Sequence, residues 1–393
     1  MKKYLWAVIY GIILTAFTVY ALLDTFVIVR VYDIPPQPEI VSVSTSPETE
    51  KPEDTETEKE TDGLPDIETV TEAETKTAVT ETEPETDTGS NTETETDTDT
   101  ETVTENETET VTETETETEA ETEAETETET EKEVNHFSTG TAPGAPGVEP
   151  VITDNSYKDD NISIEIKQYR YKDTSVYVAD IVLTTPTLLR TAFAKDTYGK
   201  NIIAYTSVIS KNVNAILAVN GDYYGTREKG YVIRNGVLYR SKKSSNNEDL
   251  VIYQDGYMEV INENNITAEE LYRRGAQNVL SFGPGLISDG EISVSTNQEV
   301  RYSLETNPRT AIAFIDDLHF VFIVSDGRTS ESHGLTLYEL ATFIQTEVGA
   351  VTAYNLDGGG SSTMVFNGKI VNKPTTTGKI SERGISDIVY IGY

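Results

Sequence analysis

Three polar clusters at the ends of predicted strands carry the residue types best suited to chemistry. They are residues 220–224 (Asn-Gly-Asp-Tyr-Tyr), residues 325–328 (Ser-Asp-Gly-Arg) and residues 355–362 (Asn-Leu-Asp-Gly-Gly-Gly-Ser-Ser). A fourth stretch, residues 307–310 (Asn-Pro-Arg-Thr), leads into a further predicted strand. Loops at the ends of strands are positions where a rigid scaffold holds functional groups in place.

The third of these clusters combines anion-binding groups with a carboxylate. Consecutive glycines let backbone N–H groups converge on an anion, and serine hydroxyls add donors; the residues concerned are Gly358, Gly359, Gly360, Ser361 and Ser362. Asp357 immediately precedes them. Arg309 and Arg328 could hold a phosphate through planar, bidentate hydrogen bonds.

Acidic and basic groups placed together suit cleavage of a bond between a sugar and a phosphate. The phosphate needs cationic and N–H donors, and the sugar carbon needs a carboxylate. Asp357 and Asp326 are the candidate carboxylates, although Asp326-Gly327 alone is typical of a simple turn. Glu339 is a further candidate, but it completes a helix-capping pattern and is better explained by that role.

Several neighbouring residues stay open between structural and binding roles. Tyr223 and Tyr224 could be core aromatics or platforms for a sugar ring. Arg383 and Asp387 could form an ion pair or line the site. His333 lies in a polar stretch before a helix and is better explained as a surface histidine.

The elements that must position these residues predict an α+β domain with a mixed or antiparallel sheet. Strands are predicted at 162–166, 176–183 and 215–219, and the apolar run 319–324 predicts a central strand buried on both faces. Four Asx-Gly pairs, at 235–236, 255–256, 289–290 and 367–368, predict tight hairpin turns. Capping patterns at 267–270 and 336–339 predict two helices.

The N-terminus predicts a membrane anchor. Two lysines precede residues 4–23, which carry no charge, and apolar character continues to residue 29. About 20 apolar residues match the thickness of a bilayer, and the lysines favour a cytoplasmic N-terminus. A cleaved signal peptide is the alternative, but the run is long for one and no typical cleavage site follows.

The strong acidity belongs to one segment. Residues 44–134 hold 35 acidic residues against 4 lysines, whereas the whole chain has a net charge of −38. A β-strand of alternating Thr and Glu would have no apolar face to bury, so this segment is predicted to be a disordered spacer. Calcium buffering or sugar attachment to its threonines stays open. The expected organisation is therefore an anchor over residues 1–30, a stalk over 31–150 and a folded domain over 151–393.

Composition also excludes several classes of site. The chain has no cysteine, which excludes disulfides, thiolate metal sites and a cysteine nucleophile. No metal-protease, phosphate-loop or serine-hydrolase signature is present. The sequence identifies no certain cofactor, and a divalent cation such as calcium, held by carboxylates, stays open. Nothing indicates a nucleic-acid partner.

Taken in order, the quoted motifs resemble the phosphodiester glycosidase family over roughly residues 192–393. They include the clusters above together with residues 283–284 and 334–341. The resemblance implies hydrolysis of a sugar-1-phosphodiester. By matching motifs it places Asp326, Arg328, Asn355, Asp357, Gly358, Gly359 and Ser361 at the site, with Asn220 and Arg309 beside them. Ala313 and Tyr224 depart from the usual pattern, which could alter the sugar pocket.

These observations together predict a surface-anchored enzyme with Asp357, Asp326 and Glu339 as candidate catalytic residues. The predicted substrate contacts are Asn220, Asp222, Tyr224, Arg309, Arg328, Asn355, Gly358, Gly359, Gly360, Ser361, Ser362 and Arg383. The expected substrate is a phosphorylated glycan or cell-wall polymer outside a Gram-positive-type bacterial cell, and bacterial relatives are often described as exopolysaccharide-biosynthesis proteins. A non-catalytic carbohydrate-binding protein and a polymer-modifying transferase are the alternatives.

Overall fold

A computed structural model describes residues 4–39, 135–138, 141–297, 299 and 302–393. The predicted disordered spacer lies almost entirely outside these residues. The described helices are α1 (Leu5–Phe26), α2 (Thr206–Asn212), α3 (Ala268–Arg273) and α4 (Leu337–Phe343), which a π-helical turn, Ile344–Val348, extends. Short 3-10 turns lie at Pro186–Leu188, Ala194–Asp196, Tyr224–Thr226 and Gly359–Ser361.

Twenty-three strands are described, in keeping with the many short β-like runs of the sequence. In chain order they are β1 (Arg30–Val31), β2 (Val151–Ile152), β3 (Ser156–Lys158), β4 (Ile162–Tyr171), β5 (Thr174–Leu183), β6 (Leu189–Phe193), β7 (Gly199–Lys200), β8 (Leu217–Asn220), β9 (Val232–Arg234), β10 (Val237–Arg240), β11 (Glu248–Tyr253), β12 (Met258–Asn262), β13 (Ala276–Leu280), β14 (Gly285–Ser288), β15 (Glu291–Ile292), β16 (Arg309–Asp316), β17 (His319–Ser325), β18 (Thr352–Asn355), β19 (Met364–Phe366), β20 (Lys369–Ile370), β21 (Thr375–Thr376), β22 (Lys379–Ile380) and β23 (Asp387–Ile391).

Three larger sheets organise the domain. The first has nine strands in the order β15-β14-β18-β16-β17-β5-β4-β3-β2. The other two have five strands each, in the orders β20-β19-β8-β23-β6 and β10-β9-β13-β11-β12. Each described pairing is antiparallel, for example β16 with β17 and β8 with β23. The fold is therefore a mostly antiparallel sheet domain with few helices, which confirms the predicted α+β class.

Strand β17 shows why the central sheet is buried on both faces. Phe320 and Phe322 point into the larger core, which also includes Leu250 and Val389 from the other sheets. Val321 and Ile323, which alternate with them along β17, belong to a second core with α4. Alternation in a strand sends neighbours to opposite faces, so the near-continuous apolar run is explained by cover on both sides.

The predicted turns and helix caps are largely confirmed. The pairs at 235–236, 289–290 and 367–368 have positive φ at both residues and join adjacent antiparallel strands, as tight hairpins require. At the fourth pair only Gly256 has positive φ. Thr336 and Glu339 form a complete capping box on α4. At α3 the Thr267 side chain accepts from the Glu270 N–H, which is half of that pattern.

The N-terminal segment lies against the folded domain. Helix α1 spans 22 residues and leads into β1, which pairs with β7. Within the described residues, no helix meets the combined requirements of length and apolar character for crossing a bilayer. The structure therefore gives no support to the predicted transmembrane helix over residues 4–29.

Candidate active site

One cavity of about 480 Å³ brings together residues from six separate parts of the chain. It is lined by Tyr223, Arg227, Phe282, Tyr302, Glu305, Asn307, Arg309, Arg328, Asp357, Gly358, Gly359 and Arg383. Four arginines against two carboxylates leave an excess of two positive charges on this wall. The aromatic residues add apolar surface beside the charged groups. The cavity therefore suits a ligand with an anionic part and a ring-like part.

Neighbouring strand ends create this cavity. Strands β17, β16 and β18 lie side by side in the nine-stranded sheet, and the loops that carry Arg328 and Asp357 follow β17 and β18. Both loops pack on Pro308, just before β16. A side chain at Gly327 would lie 2.6 Å from the Pro308 nitrogen, and one at Gly358 would lie 2.9 Å from the Pro308 carbonyl oxygen. Glycine is needed at both positions because the backbones approach so closely.

Hydrogen bonds to the protein hold each of the four arginines. Arg309 donates to the backbone oxygens of Leu335, Tyr302 and Glu305 through Nε and Nη2. Arg328 donates to the Asn307 side-chain oxygen through Nε and Nη2. Burial lowers the pKa of Arg309 to about 10, which still leaves the side chain charged at neutral pH.

The same four guanidinium groups keep donors available for a ligand. Arg227 donates to the Ser281 carbonyl through Nη1 alone, and Arg383 uses Nε and Nη2. Toward the described residues, Nη1 of Arg309, Arg328 and Arg383 and Nη2 of Arg227 make no hydrogen bond. Fixed guanidinium groups with spare donors are suited to binding a phosphate.

Asp357 is the buried carboxylate of the cavity. Arg383 Nη2 donates to both of its oxygens, at 3.0 and 2.8 Å, and the Ser361 hydroxyl donates at 2.6 Å. Arg383 Nε also donates to the Ser361 hydroxyl oxygen. Burial raises the pKa of Asp357, while Arg383 and Ser361 act in the opposite direction. The carboxylate is thus held in one orientation by an ion pair and a hydroxyl.

Two of the three predicted catalytic carboxylates lie elsewhere. Asp326 is buried beside the cavity wall, where it accepts from the Lys373 N–H at 2.7 Å and from the Asn372 amide at 3.2 Å. Neither Asp326 nor Glu339 lines the cavity. Glu339 accepts from the backbone N–H and the hydroxyl of Thr336. Both therefore hold loops or helix ends in place rather than facing a ligand.

Four predicted substrate contacts support the cavity from behind. The buried Asn220 amide donates to the Asp357 carbonyl at 2.6 Å, and its oxygen accepts from the Thr310 hydroxyl. Asn355 donates to the Gly283 carbonyl. Asp222 is fully buried, and Tyr224 stacks on Tyr198 with ring centres 5.4 Å apart. None of these four side chains lines the cavity.

The glycine-serine turn differs from the predicted open cradle of N–H groups. The Gly359 N–H donates to the Pro308 carbonyl, and the Ser361 and Ser362 N–H groups donate within the turn. Gly358 and Gly359 line the cavity, whereas Gly360, Ser361 and Ser362 do not. The cationic side chains, rather than a nest of N–H groups, therefore carry most of the anion-binding capacity.

Sequence reasoning missed several residues of the cavity. Arg227 lies three residues after the first polar cluster, with its guanidinium over the Phe282 ring at 5.0 Å. Tyr302 and Glu305 lie just before the predicted Asn-Pro-Arg motif. Their only sequence signal was proximity to those motifs. Tyr223, left open between core and binding roles, lines the cavity.

A metal-binding cluster is not found in the part of the chain that the structure describes: these residues contain no group of three or more His, Cys, Asp or Glu side chains placed to hold an ion.

Fold and cavity together define a sheet domain built to bind an anionic ligand next to a buried carboxylate. Residues 213–392, slightly less than half of the chain, match the family described as phosphodiester glycosidase. This confirms the resemblance seen in the sequence.

This chain is similar to parts of several longer curated proteins. The SPbeta prophage-derived uncharacterized protein YomE of Bacillus subtilis is 31% identical over 192 residues, which cover 47% of this chain and 29% of that protein. The mouse N-acetylglucosamine-1-phosphodiester alpha-N-acetylglucosaminidase is 29% identical over 176 residues, which cover 40% of this chain and 33% of that protein. This chain thus spans a third or less of these two relatives.

A solved structure is also similar. The zebrafish N-acetylglucosamine-1-phosphodiester alpha-N-acetylglucosaminidase catalytic domain, auto-inhibited by its pro-peptide, aligns with a TM-score of 0.47 and 22% identity. The alignment covers 59% of this chain and 83% of that one.

Proposed function

We propose that the domain hydrolyses the bond between the anomeric carbon of a sugar and the oxygen of a phosphodiester. The observation that carries this proposal is the shared cavity of Asp357 and four partly free arginines. The match to this family supports the same class of reaction. The arginines would bind the phosphate, and the aromatic side chains would face the sugar ring.

In this reaction the C1–O bond breaks and the phosphate leaves with the electron pair. The arginines stabilise the negative charge that develops on the leaving oxygen. Asp357 provides a negative charge for the positive charge that develops at the anomeric carbon. Water supplies the new oxygen, and Glu305, the second carboxylate that lines the cavity, is the candidate base for the proton of that water.

The full chain should release free sugar and a phosphate monoester from the methyl diester of N-acetylglucosamine 1-phosphate. Phosphorus NMR follows the diester and monoester signals, and chromatography follows the sugar. Binding of the diester without any monoester would contradict the proposal and favour a carbohydrate-binding protein. Transfer of the sugar to an added alcohol, with no free sugar formed, would favour a transferase.

Arg328→Ala should raise KM for this diester by about 10- to 100-fold, because a charged hydrogen bond to phosphate contributes roughly 1.5–3 kcal/mol. Initial rates over a range of diester concentrations give KM and kcat separately. Arg190→Ala, which removes an arginine outside the cavity, is the matched control and should leave KM unchanged. An equal rise in both variants would remove Arg328 from the phosphate site.

We also propose that the chain acts outside the cell, on a surface or cell-wall polymer with sugar-phosphate linkages, and that its N-terminal segment tethers it to the membrane. Two lysines before a long uncharged run support this location. Protease treatment of intact cells should degrade the domain if it lies outside. Complete protection, with the domain digested only after lysis, would contradict this location.

A further inference from the structure

The segment that follows α1 makes a continuous set of contacts with the folded domain. Strand β1 pairs with β7, so that Arg30 lies opposite Lys200 and Val31 opposite Gly199. The Tyr32 N–H then donates to the Tyr198 carbonyl at 3.2 Å. These contacts add a strand to the domain through backbone hydrogen bonds.

Side-chain hydrogen bonds to the domain hold both ends of this segment. The Asn201 amide donates to the carbonyl oxygens of Asp24 and Ile28, at 3.3 and 2.9 Å. The Gln37 amide exchanges two hydrogen bonds with the backbone of Leu238, at 3.0 and 2.8 Å. The Gln37 side chain thus donates to the carbonyl and accepts from the N–H of one residue, as the backbone of a paired strand would.

The domain surface is shaped to receive the segment. A side chain at Gly199 would collide with the Arg30 carbonyl oxygen, so glycine makes room for the close approach of the backbone. Lys200, whose side chain is 6% exposed, lies 3.3 Å from both Asp24 and Glu228. A buried lysine that pairs with the segment is costly to leave without that partner.

The chain returns to the same domain after the acidic segment. The His136 ring stacks on Tyr253 and Tyr257, with ring centres 4.2 and 5.1 Å apart, and its Nδ1 lies 2.7 Å from Asp255. The His136 N–H donates to the Arg274 carbonyl. Both the departure point near Gln37 and the return point at His136 are thus attached to one folded body.

We propose that residues 24–37 are an integral part of the domain, docked on β7 and β10, so that the chain on either side of residues 40–134 belongs to the same domain. The acidic segment then does not set the distance between α1 and the cavity, which is the role predicted from the sequence. Asn201, whose side chain contacts the docked segment, also donates its backbone N–H to the Gly225 carbonyl, two residues before the cavity residue Arg227.

The absence of cysteine permits a direct test in the full chain. Residues opposite one another in an antiparallel pair lie about 4.5–5.5 Å apart at Cα, within the range of a disulfide. The variant Arg30→Cys/Lys200→Cys should therefore cross-link under mild oxidation. A glutamyl endopeptidase then cuts the acidic segment, and non-reducing gels show whether the N-terminal fragment stays joined to the domain.

Arg30→Cys/Lys379→Cys is the matched control, because Lys379 lies on β22, which pairs with β21 and not with β1. We expect the first pair to form a disulfide at least tenfold faster than the control, and the fragments to separate only after reduction. Adding Gly199→Ala and Gln37→Ala to the first pair should slow its cross-linking. Equal rates for the first pair and the control would overturn the proposal, whatever the activity of the enzyme.

Discussion

Asp357→Asn should lower kcat for sugar-1-phosphodiester cleavage by on the order of 10³-fold or more, with a small change in KM. The substitution removes a negative charge next to the carbon that becomes positive, and such contributions are realised mainly in the transition state. It also keeps the size of the side chain, although the amide NH2 group cannot accept the hydrogen bond that a carboxylate oxygen takes from Arg383. Initial rates at saturating diester measure the loss.

Asp326→Asn is the matched control for this experiment. Both aspartates are buried, and burial raises the pKa of both. Only Asp357 lines the cavity, whereas Asp326 accepts hydrogen bonds from the Asn372 and Lys373 loop. We expect Asp326→Asn to lower the melting temperature and to leave kcat within about tenfold of the parent, because a carboxylate that does not line the cavity makes no direct contact with the charge that develops in the transition state.

The opposite result would reassign the reaction. If Asp326→Asn abolished turnover at normal thermal stability while Asp357→Asn stayed active, the reacting sugar could not lie in the cavity described here. Asp326 follows β17 and Asp357 follows β18, and both strands pair with β16. Position after a strand end therefore could not tell the sequence reader which of the two carboxylates faces the cavity. The difference of role depends on which loop turns its side chain toward the open cavity.

Short-range signals in the sequence were enough to predict the local structure. Asx-Gly pairs predict hairpins because their backbone preferences are intrinsic to two residues. Thr336 and Glu339 predict a helix start for the same reason. The continuous apolar run at 319–324 predicts a strand covered on both sides, and the cores on either face of β17 confirm it.

The membership of the cavity was harder to predict, because it depends on side-chain direction and on contacts far apart in sequence. The N–H groups of Gly359, Ser361 and Ser362 donate to Pro308 or within the turn, and the sequence cannot show these hydrogen bonds. Glu305 and Arg227 reach the cavity through loops whose course is set by packing. The quoted motifs also contain Asn220, Asp222 and Asn355. These side chains are buried behind the cavity wall and do not line the cavity.

The buried charge cluster of Arg234, Asp222 and Asp387 is another feature that the sequence does not reveal. Arg234 Nη2 lies 2.8 Å from an oxygen of each aspartate, and all three side chains are 2% exposed or less. The cluster links the Asn-Gly-Asp loop to β23, because the Asp222 N–H donates to Asp387. Asp222 also accepts from the Ser281 N–H at 2.7 Å, next to the cavity residue Phe282.

Arg234→Met should destabilise the domain by about 3–5 kcal/mol, because it leaves two buried carboxylates without their counter-charge. For a domain of this size the melting temperature should fall by roughly 10 °C or more. Thermal unfolding followed by circular dichroism measures the shift. The triple variant Arg234→Met/Asp222→Asn/Asp387→Asn is the control and should recover part of the loss. No difference between the single and triple variants would mean that the charges are not the cause.

The same cluster should make stability depend on pH in a defined direction. Burial, with Asp222 nearby, raises the pKa of Asp387 to about 7 against an ordinary value of 3.8. Between these values the folded state holds a proton that the unfolded state has released, so this group's contribution to stability falls as pH rises from about 4 to 7. The pKa of Asp222 is lowered mainly by Arg234 against the effect of burial, so its contribution to stability is fully present throughout that window and is lost only at lower pH. Asp387→Asn should therefore lose less stability than the parent between pH 5 and pH 8. Melting temperatures of both proteins, measured at several pH values across that range, test this. An equal fall in melting temperature for the two proteins would show that Asp387 does not titrate there.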